Sequence, residues 1–415
     1  MAKFDKLIRH GSLFVVIAMI GNLLNVLFNV VMTRSLGPYN YGIFGTLLSV
    51  LAILAVPSSV IQLTMARYFA QYSAHQQQDK MRILLRATIG FTLAIGLFGG
   101  FILFGAKNII LHLLNIQLDS AIPMLILSLL FAFGWVLPVL RGGLQGLQKF
   151  PILGFNIIMD AIIRLIVGIV LVYCGYHIAG ALGASLAVFI LGFILSTIPL
   201  SKYLKQPEHK ESQIDFKNIY LYAIPVLLYF YGKELFARLD IFVISRYLTD
   251  MRGFYTAAAL IGSAFWLLPT AIITVMFPKV AHTHAKNESP LHLIQKSLLF
   301  SGLLCITGIA VCFIVPGLVI KILYGAQFPV EIMTPLIKWF SICVTPFALA
   351  NVLLNYHLAK ADHECIYLLL GGAILHGILL WLFHQTVYQV LTIIFISGVL
   401  QIITNYWLLL YKENR

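Results

Sequence analysis

The sequence predicts an all-α polytopic membrane protein, because its apolar residues recur in runs of about 20, the length of helix that crosses about 30 Å of hydrocarbon. Composition points the same way: of 415 residues, 60% are hydrophobic and only 10% are charged. Mean hydropathy is +0.93, too apolar for a soluble domain to cover with polar surface. The length of the runs selects helices over the shorter strands of a barrel.

Runs and breaks place about twelve spans, near residues 11–33, 41–64, 84–106, 121–141, 151–175, 178–200, 217–246, 253–277, 293–318, 331–357, 366–385 and 388–410. The first run, from Ser12 to Thr33, is full length and lacks a small-residue cleavage site, so it is expected to remain as the first helix. The most polar connector is Ser201 to Lys217, which holds Pro207 and no apolar stretch. It divides the chain into an N-terminal six-helix bundle (1–200), a cytoplasmic linker (201–216) and a C-terminal six-helix bundle (217–415).

With a cytoplasmic N-terminus, the outside connectors hold only Arg34, Lys107, Arg246, Arg252 and Lys321, while most other basic residues fall inside. That bias places both termini in the cytoplasm. An internal repeat supports the two halves. Thr33-Arg34-Ser35-Leu36, Tyr41-Gly42 and Pro57 resemble Ser245-Arg246-Tyr247-Leu248, Gly253 and Pro269; the Arg-to-Pro separation is the same in both copies, while the glycines are out of step by one residue. Copies of six spans insert in the same orientation and give a pseudo-two-fold axis along the membrane normal. A central cavity between such halves suits a transported molecule.

Several function classes are excluded. The net charge of +13 lies mostly between spans, where topology and anionic lipid account for it, so no nucleic-acid partner is expected. The five cysteines sit in or beside apolar runs without a C-x-x-C pair and read as small hydrophobes. Gly232-Lys233 lacks the rest of a phosphate-binding loop, and no H-E-x-x-H occurs, so neither ATP hydrolysis nor zinc chemistry is expected. No outside connector is long enough for a soluble catalytic domain. The sequence therefore implies no enzyme, no cofactor and no metal.

Ionisable residues inside spans are costly, about 2.5–3.5 kcal/mol at a helix centre on insertion scales, so they are the first functional candidates. In the seventh span Tyr222, Tyr229, Lys233 and Asp240 share an arc with Phe236 beside it, while Glu234 and Arg238 lie on roughly the opposite side. Glu234 and Arg238 have the spacing of a self-neutralising i, i+4 pair; Lys233 and Asp240 either line a polar cavity or belong to helix packing. In the fifth span Asn156, Asp160 and Arg164 share a face, either as an internal ion pair or with Arg164 attracting an anion and Asp160 titrating. Asn22, Asn25, Asn29 and Thr33 form a stripe in the first span that suits interhelical bonding as well as a lumen. Asn351 and Asn355 form a further, weaker i, i+4 polar pair, while Gln62, Gln401 and Asn405 read as structural and Lys338 as a snorkelling lysine. Pro57, Pro225, Pro269 and Pro346 permit kinks or hinges.

The stretch Ala237 to Val280 resembles the seventh and eighth helices of lipid-linked oligosaccharide flippases, the polysaccharide branch of the multidrug/oligosaccharidyl-lipid/polysaccharide exporter superfamily. The matching features are Asp240 late in the helix, Gly253 and Tyr255 at a loop end, Pro269 in mid-helix, and Phe277-Pro278-Lys279 at the end. Thr33 to Gly42 is similar to that family's first hairpin, and the twelve-span plan extends along the whole chain. At Thr249-Asp250 the second half departs from the Gly37-Pro38 of the first, which leaves the loop around Arg246 undefined.

The resemblance implies two bundles forming a V around a cationic cavity that opens alternately to the two sides of the cytoplasmic membrane. The implied substrate is an undecaprenyl-diphosphate-linked glycan whose tail stays in membrane lipid. Lys233, Arg164, Arg34 and Arg246 would hold the diphosphate, and Asn25, Asn29 and Tyr229 the sugars. Protonation or Na⁺ binding at Asp160, Asp240 or Glu234 would bias the two states. Glycan polymerase or glycosyltransferases are the implied protein partners. Rival readings are a drug or small-molecule cation antiporter of the same superfamily, favoured by an acid-dominated cavity, and a membrane glycosyltransferase or polysaccharide polymerase, which would usually need a sizeable outside loop.

Overall fold

The computed structural model describes residues 2–205, 216–285, 289–360 and 362–413, and among them no strand occurs. Most of the expected linker 201–216 lies outside the described residues. The helices are α1 (Ala2–Leu54), α2 (Val56–Ala74), α3 (Gln78–Gly105), α4 (Lys107–Leu113), α5 (Ile122–Gly134), α6 (Val136–Gly146), α7 (Phe150–Leu171) and α8 (His177–Thr197). They continue with α9 (Ser201–Lys205), α10 (Phe216–Tyr247), α11 (Arg252–Ala285), α12 (Leu291–Ile314), α13 (Pro316–Leu323), α14 (Val330–Ala359), α15 (Glu364–Leu382) and α16 (Val387–Glu413).

The expected spans fall on these helices, and prolines and glycines explain where the boundaries differ. α1 is interrupted at Gly37, whose φ of 70° and ψ of 173° are not helical, and Pro38 follows it. Only glycine adopts that φ without a Cβ penalty. The expected span 41–64 is divided at Ala55, because Pro57 begins α2 without an N–H to give to the preceding turn. Pro269, the repeat's counterpart of Pro57, lies within α11 without a break. Among the described residues nine stretches are long and apolar enough to cross a membrane. Met19–Leu54 takes in both parts of α1, and Phe150–Leu204 takes in α7, α8 and α9. α10 is not among the nine, because it carries Lys233, Glu234, Arg238 and Asp240 in its middle.

The chain forms two compact units: Met1–Leu36 with Leu47–Phe230, and Gly37–Thr46 with Tyr231–Arg415. In the first, α2 lies on α6 at backbone distance. A Cβ on Gly142 would come 2.4 Å from the Gln62 carbonyl oxygen, and one on Gly146 would come 2.5 Å from that of Ala66. Lipid provides little hydrophobic drive between helices, so close backbone approach at small residues gives the van der Waals contact that holds them. Phe69, Leu84, Leu140 and Leu200 fill the adjoining core.

In the second unit the short segment Gly37–Thr46 crosses the start of α11. A Cβ on Gly253 would fall 2.0 Å from the Pro38 carbonyl oxygen, and one on Gly42 would fall 2.8 Å from the Gly253 nitrogen. The glycines of the two sequence copies therefore meet each other. Behind them α11, α12, α14 and α16 enclose Ile273, Ile294, Val352, Tyr356 and Leu409. The departure at Thr249-Asp250 becomes a 3₁₀ turn, Thr249–Met251, in place of a glycine break.

The glycine crossing predicts that Gly253→Val lowers stability by about 3 kcal/mol or more, since the added atoms meet backbone that cannot rotate away. Gly302→Ala, where a Cβ meets nothing within 4 Å, should leave the unfolding midpoint in detergent nearly unchanged.

Candidate functional site

The second unit contains a cavity of about 310 Å³ bordered by α10, α11, α14, α15 and α16. Its polar wall is α10, which contributes Lys233, Glu234, Arg238 and Asp240 together. The two stripes expected on opposite sides of that helix thus border one cavity. Consecutive residues are only about 100° apart, and helices on several sides of α10 bound a wide arc. Lys233 Nζ sits 5.5 Å from the centre of the Trp266 ring, within cation–π range. Trp266 packs on Phe347 at 4.9 Å, and Phe347 on Phe236 at 4.5 Å, so a chain of aromatic rings runs from α11 and α14 back to α10 itself.

Each charge of this wall has its own environment. Arg238 Nε and Glu234 Oε2 are 3.5 Å apart, the i, i+4 pair that the spacing predicts. They are 40% and 34% exposed, which leaves them accessible for exchange with a ligand. Asp240 is 4% exposed, and its Oδ2 accepts a 2.6 Å hydrogen bond from the Tyr255 hydroxyl. Its Oδ1 has no hydrogen-bond partner among the described residues. Gly253 and Tyr255 act together here: the glycine lets α11 approach the Gly37–Thr46 segment closely, and one half-turn later the tyrosine reaches α10. Beside the site, Arg252 donates to the Ser245 carbonyl at 3.0 Å and ties the start of α11 to the end of α10.

The first unit holds a separate polar cluster. Arg164 Nη1 donates to Asn25 Oδ1 at 3.4 Å, and the guanidinium lies 4.5 Å from the centre of the Phe28 ring. The stripe on α1 is largely turned onto its own backbone. Asn25 Nδ2 donates to the Gly21 carbonyl at 3.0 Å, Asn29 Nδ2 to that of Asn25 at 2.9 Å, and Thr33 Oγ1 to that of Asn29 at 2.7 Å. Asp160 pairs with Arg141 of α6, the two side chains being 16% and 17% exposed, while Arg164 reaches across to α1. Asn156 is fully buried and accepts from Ser196 Oγ at 3.4 Å.

The structure brings Lys233, Glu234 and Asp240 to one cavity, and Arg164, Asn25 and Asn29 to one cluster. Arg34 and Arg246 are exposed near helix ends, and Tyr229 is half-buried with its ring 5.5 Å from that of Phe230. Gln401 donates to the Leu368 carbonyl at 3.0 Å and Asn405 to that of Gln401 at 2.8 Å, both structural bonds. The sequence reading passed over Arg141, Trp266 and His376. Arg141 and His376 were legible as ionisable groups in or at the end of a span; Trp266 carried no comparable signal.

The helices, nine of their stretches long and apolar enough to cross a membrane among the described residues, and the charged groups held within each unit define a polytopic helical fold shared with solved membrane transporters. A multidrug-resistance MATE family transporter of the MOP superfamily in its inward-facing conformation superimposes with a TM-score of 0.77 at 11% identity, covering 95% of this chain and 97% of that one. The lipid II flippase MurJ in an inward closed conformation gives 0.77 at 14% identity, covering 97% and 87%. An outward-facing MATE transporter gives 0.63 at 11% identity, covering 94% and 91%. Residues 7–284 match the family described as polysaccharide biosynthesis protein, and the chain belongs to that family. A Shigella flexneri protein whose provisional name is O-antigen transporter is 23% identical over 329 residues, 72% of this chain and 72% of its own length. These relatives are transporters and flippases rather than enzymes.

Removing one member of the Arg141–Asp160 pair leaves a charge in a low-dielectric site, so Arg141→Gln is expected to cost about 3 kcal/mol or more. Detergent melting of Arg141→Gln, Asp160→Asn and the double variant checks this: the double variant should recover much of the loss.

Proposed function

We propose that this chain is a flippase that moves an undecaprenyl-diphosphate-linked oligosaccharide from the cytoplasmic to the outer leaflet of the cytoplasmic membrane by alternating access. The observation that carries the reading is Lys233 held against Trp266 in a cavity with further aromatic faces and exchangeable charges. A diphosphate calls for a cation, and sugar rings call for aromatic faces with polar groups at their edges. Family membership and the name of the Shigella flexneri relative support a glycan as the cargo, and likeness to MurJ supports a lipid carrier.

In this reading Lys233 is the principal anion-binding group of the second unit and Arg164 that of the first. Asn25, Asn29 and Tyr229 meet sugars, while Arg34 and Arg246 attract the headgroup near the ends of their helices. Asp160, Asp240 and Glu234 are the groups at which H⁺ or Na⁺ biases one state over the other, to the extent that the ion binds the two states unequally. Both termini lie in the cytoplasm, and the six-span halves 1–200 and 217–415, joined by the linker 201–216, move as alternating-access repeats. Glycosyltransferases supply the lipid-linked unit and a glycan polymerase consumes it. A cation antiporter is the second reading, but Lys233 and Arg238 offset Glu234 and Asp240, which argues against a cavity built for cations.

Deletion of the chain in its host should abolish the surface glycan and cause the complete lipid-linked unit to accumulate inside. Wild type should restore export. Lys233→Ala should insert normally yet reduce export on the order of tenfold to a hundredfold, the loss of one charge-assisted contact. Unchanged surface glycan and lipid pools in the deletion strain, in the absence of a redundant flippase, would favour the antiporter.

A further inference from the structure

His376 is 1% exposed, lies in the middle of α15 and borders the same cavity as Asp240. Its Nδ1 is 3.0 Å from Ser397 Oγ, and its ring is 5.1 Å from that of Phe236, one turn before Asp240 on α10. His376 Nε2 and Asp240 Oδ1 have no hydrogen-bond partner among the described residues, and both atoms are buried. Two such atoms on facing helices are costly unless a small species satisfies them, because each forfeits its hydration. Neither atom has surface that a sugar could reach.

We propose that His376 and Asp240 together form a proton-binding site, and that one proton there converts the cavity into an anion site. With Nδ1–H donating to Ser397, the Nε2 lone pair accepts the proton, and the buried Asp240 carboxylate on the facing helix offsets the charge it brings. The proton comes from water and no other bond changes.

Charges around the site make this proton consequential. From α10 the cavity receives Lys233, Glu234, Arg238 and Asp240, which balance when the imidazole is neutral. From α11 it faces the Tyr255 hydroxyl, which is committed to Asp240. α14 lines it with Phe340, Val344 and Phe347, and its Cys343 acts electrostatically on Tyr255. α16 adds Ile394 and, through His376, Ser397. One added proton therefore leaves a net positive lining. Na⁺ does not fit, because a hard cation takes several oxygen ligands and the two orphaned atoms offer one oxygen and one imidazole nitrogen. Proton and anion then favour each other's binding, and linkage makes the effect reciprocal.

The inference rests on the reading that the substrate is anionic, and the test separates the two. Tryptophan fluorescence of the detergent-purified full chain is titrated over about pH 5–8, the range in which imidazole charges. Trp266→Phe identifies the signal of the cavity. Wild type should show a one-proton transition that is the same in NaCl and choline chloride, and His376→Gln should abolish it. Ser397→Ala, which keeps the imidazole but removes its partner, should shift the midpoint. P1,P2-dimethyl diphosphate, whose charge is constant over this range, should bind about tenfold more tightly at the acidic end and should raise the midpoint pH.

Absence of the transition in folded wild type, its persistence unchanged in His376→Gln, or its displacement by Na⁺ would overturn the proton site. Tight diphosphate binding with no pH dependence would overturn the coupling while leaving the flippase reading intact. Loss of diphosphate binding at every pH with a normal transition would strike the flippase reading and the anion link, but not the proton site.

Discussion

A polar group in hydrocarbon must find its partner within the chain, and most of the architecture follows from that requirement. It turns the backbone into helices, whose hydrogen bonds are internal. It also makes side chains fold back on their own helices. Asn25, Asn29 and Thr33 give their donors to carbonyls one turn earlier, and Asn355 gives its amide to the Asn351 carbonyl at 2.7 Å. Where a charge is present, another helix must neutralise it, and so α6 and α7 are joined through Arg141 and Asp160. Asp240 Oδ1 and His376 Nε2 are two buried atoms without a hydrogen-bond partner among the described residues that border one cavity.

The second constraint is close approach. In lipid, apolar surface alone does not distinguish a partner helix from an acyl chain, so specificity comes from shape and from hydrogen bonds. Gly142 and Gly146 admit the backbone of α2, and Gly42 and Gly253 admit each other. Sequence copies that resemble one another thus resemble one another for a physical reason: each presents a glycine at the same crossing. The same crossing fixes Tyr255 in the register that reaches Asp240, so packing and site share one determinant.

Helix positions were legible because period and length are carried by the apolar runs themselves. Breaks were legible at Gly37-Pro38 but less so at Ala55 and Trp135, since a proline in a membrane helix either interrupts it or is absorbed, as Pro269 is, according to neighbours that sequence does not display. The intrahelical pair Glu234–Arg238 could be read from spacing. Asp160 has the same spacing to Arg164, yet its pairing with Arg141 could not be read, because a charged pair between helices depends on how α6 and α7 face each other. Trp266 was invisible for the related reason that an aromatic ring becomes a cation's platform only once another helix brings Lys233 to it.

The segment Gly37–Thr46 has a consequence for synthesis. It packs in the unit formed by Tyr231–Arg415, and Gly253 and Thr256, which enclose it, are made about 200 residues after it. The first unit therefore reaches the membrane with one piece of its chain reserved for a body that does not yet exist. The segment can take up its packing only once those later residues have been made.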